Sequence, residues 1–281
     1  MTMVVVKTRN IEPTPKAFLR WVGGKRLLVH RLLPYLPPQL SDRRYHEPFA
    51  GAANLFFTLA PRLAIVSDLN MHLIECYKQV RDNYERVAVY IREHERQNSE
   101  KYFYAVRDKY NRLSFGPAQA ARFIYLNHTC FNGVFRVNRK GAFNVPYGNK
   151  PKPAFPSSDD LGRASKALRN ATLSVADYEK ALSMTLAGDF VYLDPPYPPL
   201  NGTSYFTHYT TERFVQKDQE RLAAVVHDLN RRGILFLMSN ADLPQIRLLY
   251  VDFNIRELSV MRYVSCKGTR YKVNELVITN Y

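Results

Sequence analysis

The sequence predicts an α/β fold built on a largely parallel sheet, and three features point there. Short β-rich runs recur along the chain, apolar residues at helical spacing follow most of them, and most runs end on a small or acidic residue. The first run, residues 45–49 (YHEPF), enters the small-residue turn Ala50-Gly51-Ala52-Ala53. Residues 63–67 (LAIVS) end in Asp68, and Leu69, Leu73, Ile74 and Tyr77 then follow a helical period. Residues 172–176 end in Asp177, residues 190–193 (FVYL) in Asp194 and residues 234–239 in Asn240. After Asp218, the residues Leu222, Val225, Val226 and Leu229 mark another helix, and residues 276–279 (LVIT) close the set. Ligands of open parallel sheets sit beyond the carboxyl ends of the strands, so Gly51, Asp68, Asp177 and Asp194 fall where a site is expected.

The middle of the chain breaks this rhythm. From about Tyr84 to Lys166 the pattern is first helical and polar. It then becomes a loop-rich run over residues 128–152, with Arg136, Arg139, Lys140, Lys150 and Lys152 and no carboxylate. Asn132-Gly133, Lys140-Gly141 and Pro146-Tyr147-Gly148 are turn signals. The stretch reads as an insertion into the α/β domain. A loop of one charge sign is often only a solvated surface. The interleaved Phe131, Phe135, Phe143 and Tyr147 shift the reading towards nucleic-acid contact. Tyr102, Phe103, Tyr104 and Tyr110 read instead as core.

Composition bounds the function. The chain has 281 residues, 46% apolar and 23% charged, which excludes a largely disordered, collagenous or coiled-coil protein. Forty Lys and Arg against 25 Asp and Glu leave a net charge of +15, which favours a polyanion as partner, nucleic acid before an acidic membrane surface. Three cysteines, Cys76, Cys130 and Cys266, show no paired spacing, against a disulfide framework or a zinc site. The apolar run within residues 1–7 is too short for a secretory signal, and no stretch is long enough to span a bilayer. A cytoplasmic protein without membrane attachment is expected.

Four motifs carry chemistry. Asp194-Pro195-Pro196-Tyr197 follows directly on an apolar strand. Two prolines end the strand and fix the backbone, which places a carboxylate, the Pro195 carbonyl and an aromatic ring in one rigid cluster. The two acceptors suit the N–H bonds of an exocyclic amine on a flat ring, and Tyr197 suits the face of that ring. A Pro-rich turn with a capping Asp is the plainer alternative. Glu47-Pro48-Phe49-Ala50-Gly51-Ala52-Ala53-Asn54 runs a strand into small residues and a helix, which lets a ligand approach the backbone closely. Ser67-Asp68-Leu69-Asn70 places an acid about 20 residues later, where it suits a ribose hydroxyl pair. Asp68 as a simple helix N-cap is the alternative. Residues 18–26 (FLRWVGGKR) hold the only tryptophan, two adjacent glycines and three cations, but not the spacing of a phosphate-binding loop, which excludes a nucleoside triphosphatase of that type. His128 and His208 stand alone and read as surface or packing residues, and no Ser/His/Asp order or paired metal ligands stand out.

Together the stretches FLRWVGGKR (18–26), EPFAGAAN (47–54), SDLN (67–70), FNGVFRVNRKGAFNVPYG (131–148) and DPPY (194–197) resemble the Dam-type DNA adenine N6-methyltransferases, in that family's order and over nearly the whole chain. The resemblance implies a Rossmann-like seven-stranded methyltransferase sheet with an inserted, mainly helical target-recognition domain. Residues 1–84 and 167–281 would form the catalytic domain and residues 85–166 the insertion. It implies S-adenosylmethionine as cofactor, S-adenosylhomocysteine as product, no metal, and double-stranded DNA as partner. Trp21 and Lys25 would border the methionine end of the cofactor, and Phe49, Ala50 and Gly51 would pass beneath it. Asp68 would hold the ribose, and Asp177 and Tyr178 would lie near the cofactor adenine. Asp194, Pro195, Pro196 and Tyr197 would hold the target adenine, with Asp194 also touching the cofactor. Arg20, Phe131, Asn132, Val134, Arg136, Asn138, Arg139 and Pro146 would meet DNA. The family's turn often reads Phe-x-Gly-x-Gly, and Ala53 replaces its second glycine here.

The expected reaction is direct methyl transfer to N6 of an adenine flipped out of the duplex, with a GATC-type site as the first expectation. A monomer is expected, since one flipped base needs one active site. The rival acceptors are cytosine N4, an RNA base or a protein amide, though the leading Asp of DPPY favours adenine. A catalytically silent DNA-binding protein is the non-enzymatic rival, against which the intact DPPY and Asp68 argue.

Overall fold

The structure, a computed structural model, describes residues 13–25, 28–112, 114–198, 214–263 and 270–281, without the side chains of 261–263 and 270–272. The expectations placed on residues 1–7, Arg26, His208 and Cys266 lie outside the described residues. In chain order the elements are α1 (Val29–Leu32), β1 (Tyr45–Glu47), α2 (Asn54–Leu59), β2 (Ala64–Asp68), α3 (Met71–Gln97), α4 (Glu100–Tyr110) and α5 (Pro117–Thr129). They continue with α6 (Ser158–Leu168), β3 (Ala171–Val175), α7 (Tyr178–Leu182), β4 (Phe190–Leu193), α8 (Gln216–Arg231), β5 (Leu235–Ala241), α9 (Pro244–Leu249), β6 (Asn254–Tyr263) and β7 (Arg270–Thr279).

The strands form one seven-stranded sheet in the order β3-β2-β1-β4-β5-β7-β6. The first five run parallel, and β7 pairs antiparallel with both β5 and β6. Central β4 is buried at every residue, as a strand covered on both faces must be, and its sequence FVYL is accordingly apolar throughout. β1 pairs with β2 on one side and β4 on the other. The chain order reverses there, which makes the gap beyond β1 and β4 the switch point of the sheet. One face is covered by α7, α8 and α9 through Tyr178, Leu222, Val226, Ile246 and Tyr250. The other carries α2 and α3, with α5 packed on α3, and Phe56, Tyr77, Phe123, Ile124 and Tyr192 belong to one continuous cluster there.

The strand ends differ from the sequence reading for local reasons. β1 stops at Glu47 because Pro48 has no N–H to continue the ladder. Asn240 does not end β5: it lies buried within the strand, and its amide donates to Gln219 Oε1 at 3.2 Å. α8 begins two residues before Asp218, whose carboxylate accepts from Val215 N at 2.8 Å. β6 and the first half of β7 carry no apolar run and are additional to the strands read from sequence. Both joints of the expected insertion lie inside helices. α3 runs through residue 85 with a break at Asn83 (φ −140°, ψ 30°), and α6 runs through 166. Ser165 Oγ, on α6, donates to Arg81 O on α3 at 2.6 Å.

Candidate active site

The site begins with the turn after β1. Gly51 (φ +46°) and Ala53 (φ +50°) both take left-handed backbone, which folds the chain back before α2. Asp68, at the end of β2, clips this turn: its Oδ2 accepts from Gly51 N at 3.0 Å and its Oδ1 from Asn70 N at 2.8 Å. Burial pushes the Asp68 carboxyl up, and the two amides pull it back. Asp68 is not the cap of α3. That role belongs to Asn70, whose Oδ1 accepts from His72 N and Leu73 N. From α3, Tyr77 donates its hydroxyl to Gly51 O at 2.6 Å. A Cβ on Gly51 would lie 2.8 Å from Trp21 Cδ1, so only glycine admits the indole here.

The Trp21–Lys25 segment folds over this turn. Gly24 N donates to Trp21 O at 3.0 Å, and Gly23 takes φ +77° at the position where a type II turn requires it. The turn sets Lys25 against the end of β4. Lys25 Nζ lies 2.6 Å from Asp194 Oδ1 and 4.4 Å from the centroid of the Tyr197 ring. Ser239 Oγ, from neighbouring β5, donates to the same Asp194 oxygen at 2.8 Å, and Tyr197 donates its hydroxyl to Glu275 Oε2 of β7 at 3.0 Å. Burial pushes the Asp194 carboxyl up, Lys25 and Ser239 hold it down, and Glu275 adds to the rise. Gln219 of α8 donates to Pro196 O at 3.0 Å and so fixes the proline pair. Thus Lys25, Asp194, Pro195, Pro196 and Tyr197 converge, and Ser239 and Glu275 join them without having been singled out from sequence. Their signal was slight: one hydroxyl at the end of an apolar run and one acid just before another.

Behind the turn, Glu47 is fully buried. Its Oε2 accepts from Tyr45 Oη at 2.7 Å and Phe56 N at 3.2 Å, and desolvation pushes its carboxyl up to about 8. To one side, the Phe49 and Tyr178 rings lie 5.2 Å apart. Asp177 caps α7 by accepting from Glu179 N at 2.9 Å, and Arg221 reaches both Asp177 and Tyr178 Oη.

The basic loop follows α5. Phe131 N donates to Pro146 O at 2.9 Å, which draws its two ends together. Phe131, Asn132, Arg136, Asn138, Arg139 and Pro146 are exposed, Val134 is half-buried, and exposed Arg20 lies against Gly133. Arg136 Nε donates to Asn144 Oδ1 at 2.8 Å. Asn138 Oδ1 accepts from Lys140 N and Ala142 N and so shapes its own turn. The four aromatics interleaved with the basic residues divide between core and surface. Phe135 and Phe143 are buried in the core, packed with Tyr110 and Phe123, and Tyr147 packs against Phe103; of the four only Phe131 is exposed. Phe103 and Tyr110 lie in the core as read, and buried His128 packs between Phe18 O and Ala154 O.

A family model described as D12 class N6 adenine-specific DNA methyltransferase matches residues 21–264. The chain is 39% identical over 279 residues to the Type II methyltransferase M1.LlaDCHI of Lactococcus lactis subsp. cremoris, over 97% of this chain and 96% of that one. It is 36% identical to the Type II methyltransferase M.MjaIII of Methanocaldococcus jannaschii, over 95% and 99% of the two chains. It is 35% identical to the DNA adenine methylase of Escherichia coli (strain K12), over 93% and 94%. The chain belongs to the D12 class of N6 adenine-specific DNA methyltransferases. It is an adenine-specific DNA methyltransferase, and the family implies S-adenosylmethionine as methyl donor. Among the described residues no cluster of three or more His, Cys, Asp or Glu could hold a metal ion, and no helix is long and apolar enough to cross a membrane.

Proposed function

We propose that the enzyme methylates an adenine flipped out of a GATC-type site in duplex DNA, that Asp194 to Tyr197 hold the flipped base, and that residues 85–166 with Arg20 read the flanking base pairs. One observation carries the reading: the DPPY cluster stands at the switch point of the sheet, beside the turn that Asp68 clips. The residues fit the cofactor. A carboxylate offers about four lone-pair sites, so Asp68 can hold a ribose hydroxyl pair beyond the two amides it already accepts. Phe49 and Tyr178 present paired rings for the cofactor adenine, and Trp21 walls the turn. When bound, S-adenosylmethionine supplies an electrophilic methyl group on a positively charged sulfur.

The chain's own residues do the positioning. Asp194 and the Pro195 carbonyl accept the two N–H bonds of the target amine, which turns its lone pair out of conjugation with the ring and towards the cofactor turn. Tyr197 stacks on the base, its hydroxyl anchored to Glu275. The incoming amine meets Lys25 at Asp194 and must share or displace that contact. Orientation and electrostatics then supply the rate, as in other reactions between held partners.

The test incubates the purified enzyme with methyl-labelled S-adenosylmethionine and duplexes with and without GATC, then identifies the labelled nucleoside. N6-methyladenine confined to the GATC duplex supports reaction and site together. N6-methyladenine in both discards the site. Asp194→Ala loses at least about 100-fold in turnover, and wild-type turnover by that variant sinks the assignment of the pocket.

A further inference from the structure

We propose that Asn127 is a positioning residue that couples DNA reading by the recognition loop to the geometry of the methyl-transfer site. The proposal rests on the reading of residues 131–146 as the DNA-contacting loop. Asn127 sits near the C-terminal end of α5 and is 3% exposed. Its Oδ1 accepts from Arg20 N at 2.8 Å, and its Nδ2 donates to Arg20 O at 2.7 Å and to Gly133 O at 3.3 Å. One side-chain amide thereby pairs with both backbone groups of Arg20, as a neighbouring strand would, and also holds the loop. Only a primary amide offers an acceptor and two donors without charge, so aspartate, serine or alanine cannot reproduce the set. The next residue extends the clasp: His128 places its ring nitrogens 2.8 Å from Phe18 O and 2.7 Å from Ala154 O.

The joint is tight on its other side. Gly133 has φ +66°, and a Cβ there would lie 2.8 Å from Arg20 Cβ and 3.1 Å from Arg20 Cδ. A shift of the loop towards Arg20 therefore displaces Arg20. From Arg20 the chain passes directly into the reacting centre. Trp21 stacks on Phe135 of the loop, with centroids 6.0 Å apart and planes 13° apart, and meets Gly51 of the cofactor turn. Lys25 then pairs with Asp194. Residues 20–25 thus touch the recognition loop, the cofactor turn and the base-holding carboxylate in succession. Coupling needs an element whose arrangement two sites both bias, and this segment, which touches all three, is placed to serve as one. Asn127 makes it move with the loop.

The test uses the full-length enzyme and the site the wild type modifies, defined by mapping N6-methyladenine on plasmid DNA. Wild type, Asn127→Ala and Asn127→Asp are compared on a duplex carrying that site and on duplexes with one of its base pairs changed. Calorimetry follows S-adenosylmethionine binding. The expected result is a fall of about 10-fold in kcat on the preferred duplex, a much smaller fall on the altered duplexes, and cofactor affinity within about twofold of wild type. Emission from Trp21, the only tryptophan, responds to the preferred duplex in the wild type, and both variants lose that selective response. Equal losses on every duplex, with discrimination intact, overturn the proposal and leave Asn127 a packing residue. Should both variants fail to fold, Gly133→Ala strains the same joint from the loop side. It must also lose discrimination, and unchanged discrimination overturns the proposal. A wild type that methylates all adenines alike overturns the reading of the loop itself, which distinguishes that failure from this one.

Discussion

Asp194 shares one carboxylate oxygen between two donors, Lys25 Nζ at 2.6 Å and Ser239 Oγ at 2.8 Å, and both hold the carboxyl down against the effect of burial. Removing the lysine charge leaves burial and Glu275 to dominate, so the carboxylate form is then reached only at higher pH. Lys25→Met is therefore expected to move the acid limb of the pH–rate profile upward. A limb that stays in place or moves down contradicts this role for the ion pair. Glu47 makes a second prediction. Its carboxyl is raised from 4.5 to about 8 in the fold, so the folded state holds a proton that the unfolded state has released across that window. Its contribution to stability is fully present below about 4.5 and is lost as pH rises through about 8. Urea midpoints of Glu47→Gln should decline less with pH than those of the wild type between these limits, and parallel curves contradict it. Ala53, in place of a glycine, keeps left-handed backbone at φ +50° with its β-carbon buried. The turn survives that exchange at a conformational cost of about 1–2 kcal/mol.

Among the elements, the basic loop over residues 131–146 is built as a clip whose aromatic side packs inward and whose basic side faces solvent. Arg136 is exposed and braced by Asn144, with the orientation of its guanidinium set before contact. Arg136→Ala is expected to cost about 1–3 kcal/mol of discrimination at one base pair, with S-adenosylmethionine binding unchanged. Rates on a panel of duplexes with single base-pair changes check this, and a uniform loss across the panel makes Arg136 a phosphate contact instead. Strands β2, β4 and β5 were legible as short apolar runs that lead into polar residues, and β1 by the small-residue turn that follows it. β6 was not, because it is an edge strand: Arg256, Glu257 and Ser259 are exposed, so no apolar run marks it. The motif residues of the candidate site were legible because prolines, glycines and acids clustered at strand ends break the apolar pattern of the strands. Ser239, Glu275 and Asn127 were not. Each is a single polar residue whose partner lies 45, 78 or 107 positions away, and only the folded topology joins them.

At the scale of the molecule, a net charge of +15 should dominate DNA binding and leave cofactor binding nearly untouched. The logarithm of the DNA association constant is expected to fall linearly with the logarithm of salt concentration, with a slope of about −0.9 per neutralised phosphate. S-adenosylmethionine affinity should change little over the same range. A DNA affinity insensitive to salt contradicts an electrostatic footprint. The sheet face that carries α2, α3 and α5 shares a single hydrophobic cluster with the residues of the basic loop, so Phe135 and Phe143 rest on the same core as Phe190 and Tyr192. Exchange of residues 85–166 as a cassette between related enzymes would tear that core open. On the reading of this loop as the DNA-contacting surface, new target preferences then arise by point changes on its outer rim, one solvent-facing side chain at a time, while the aromatic underside stays as it is.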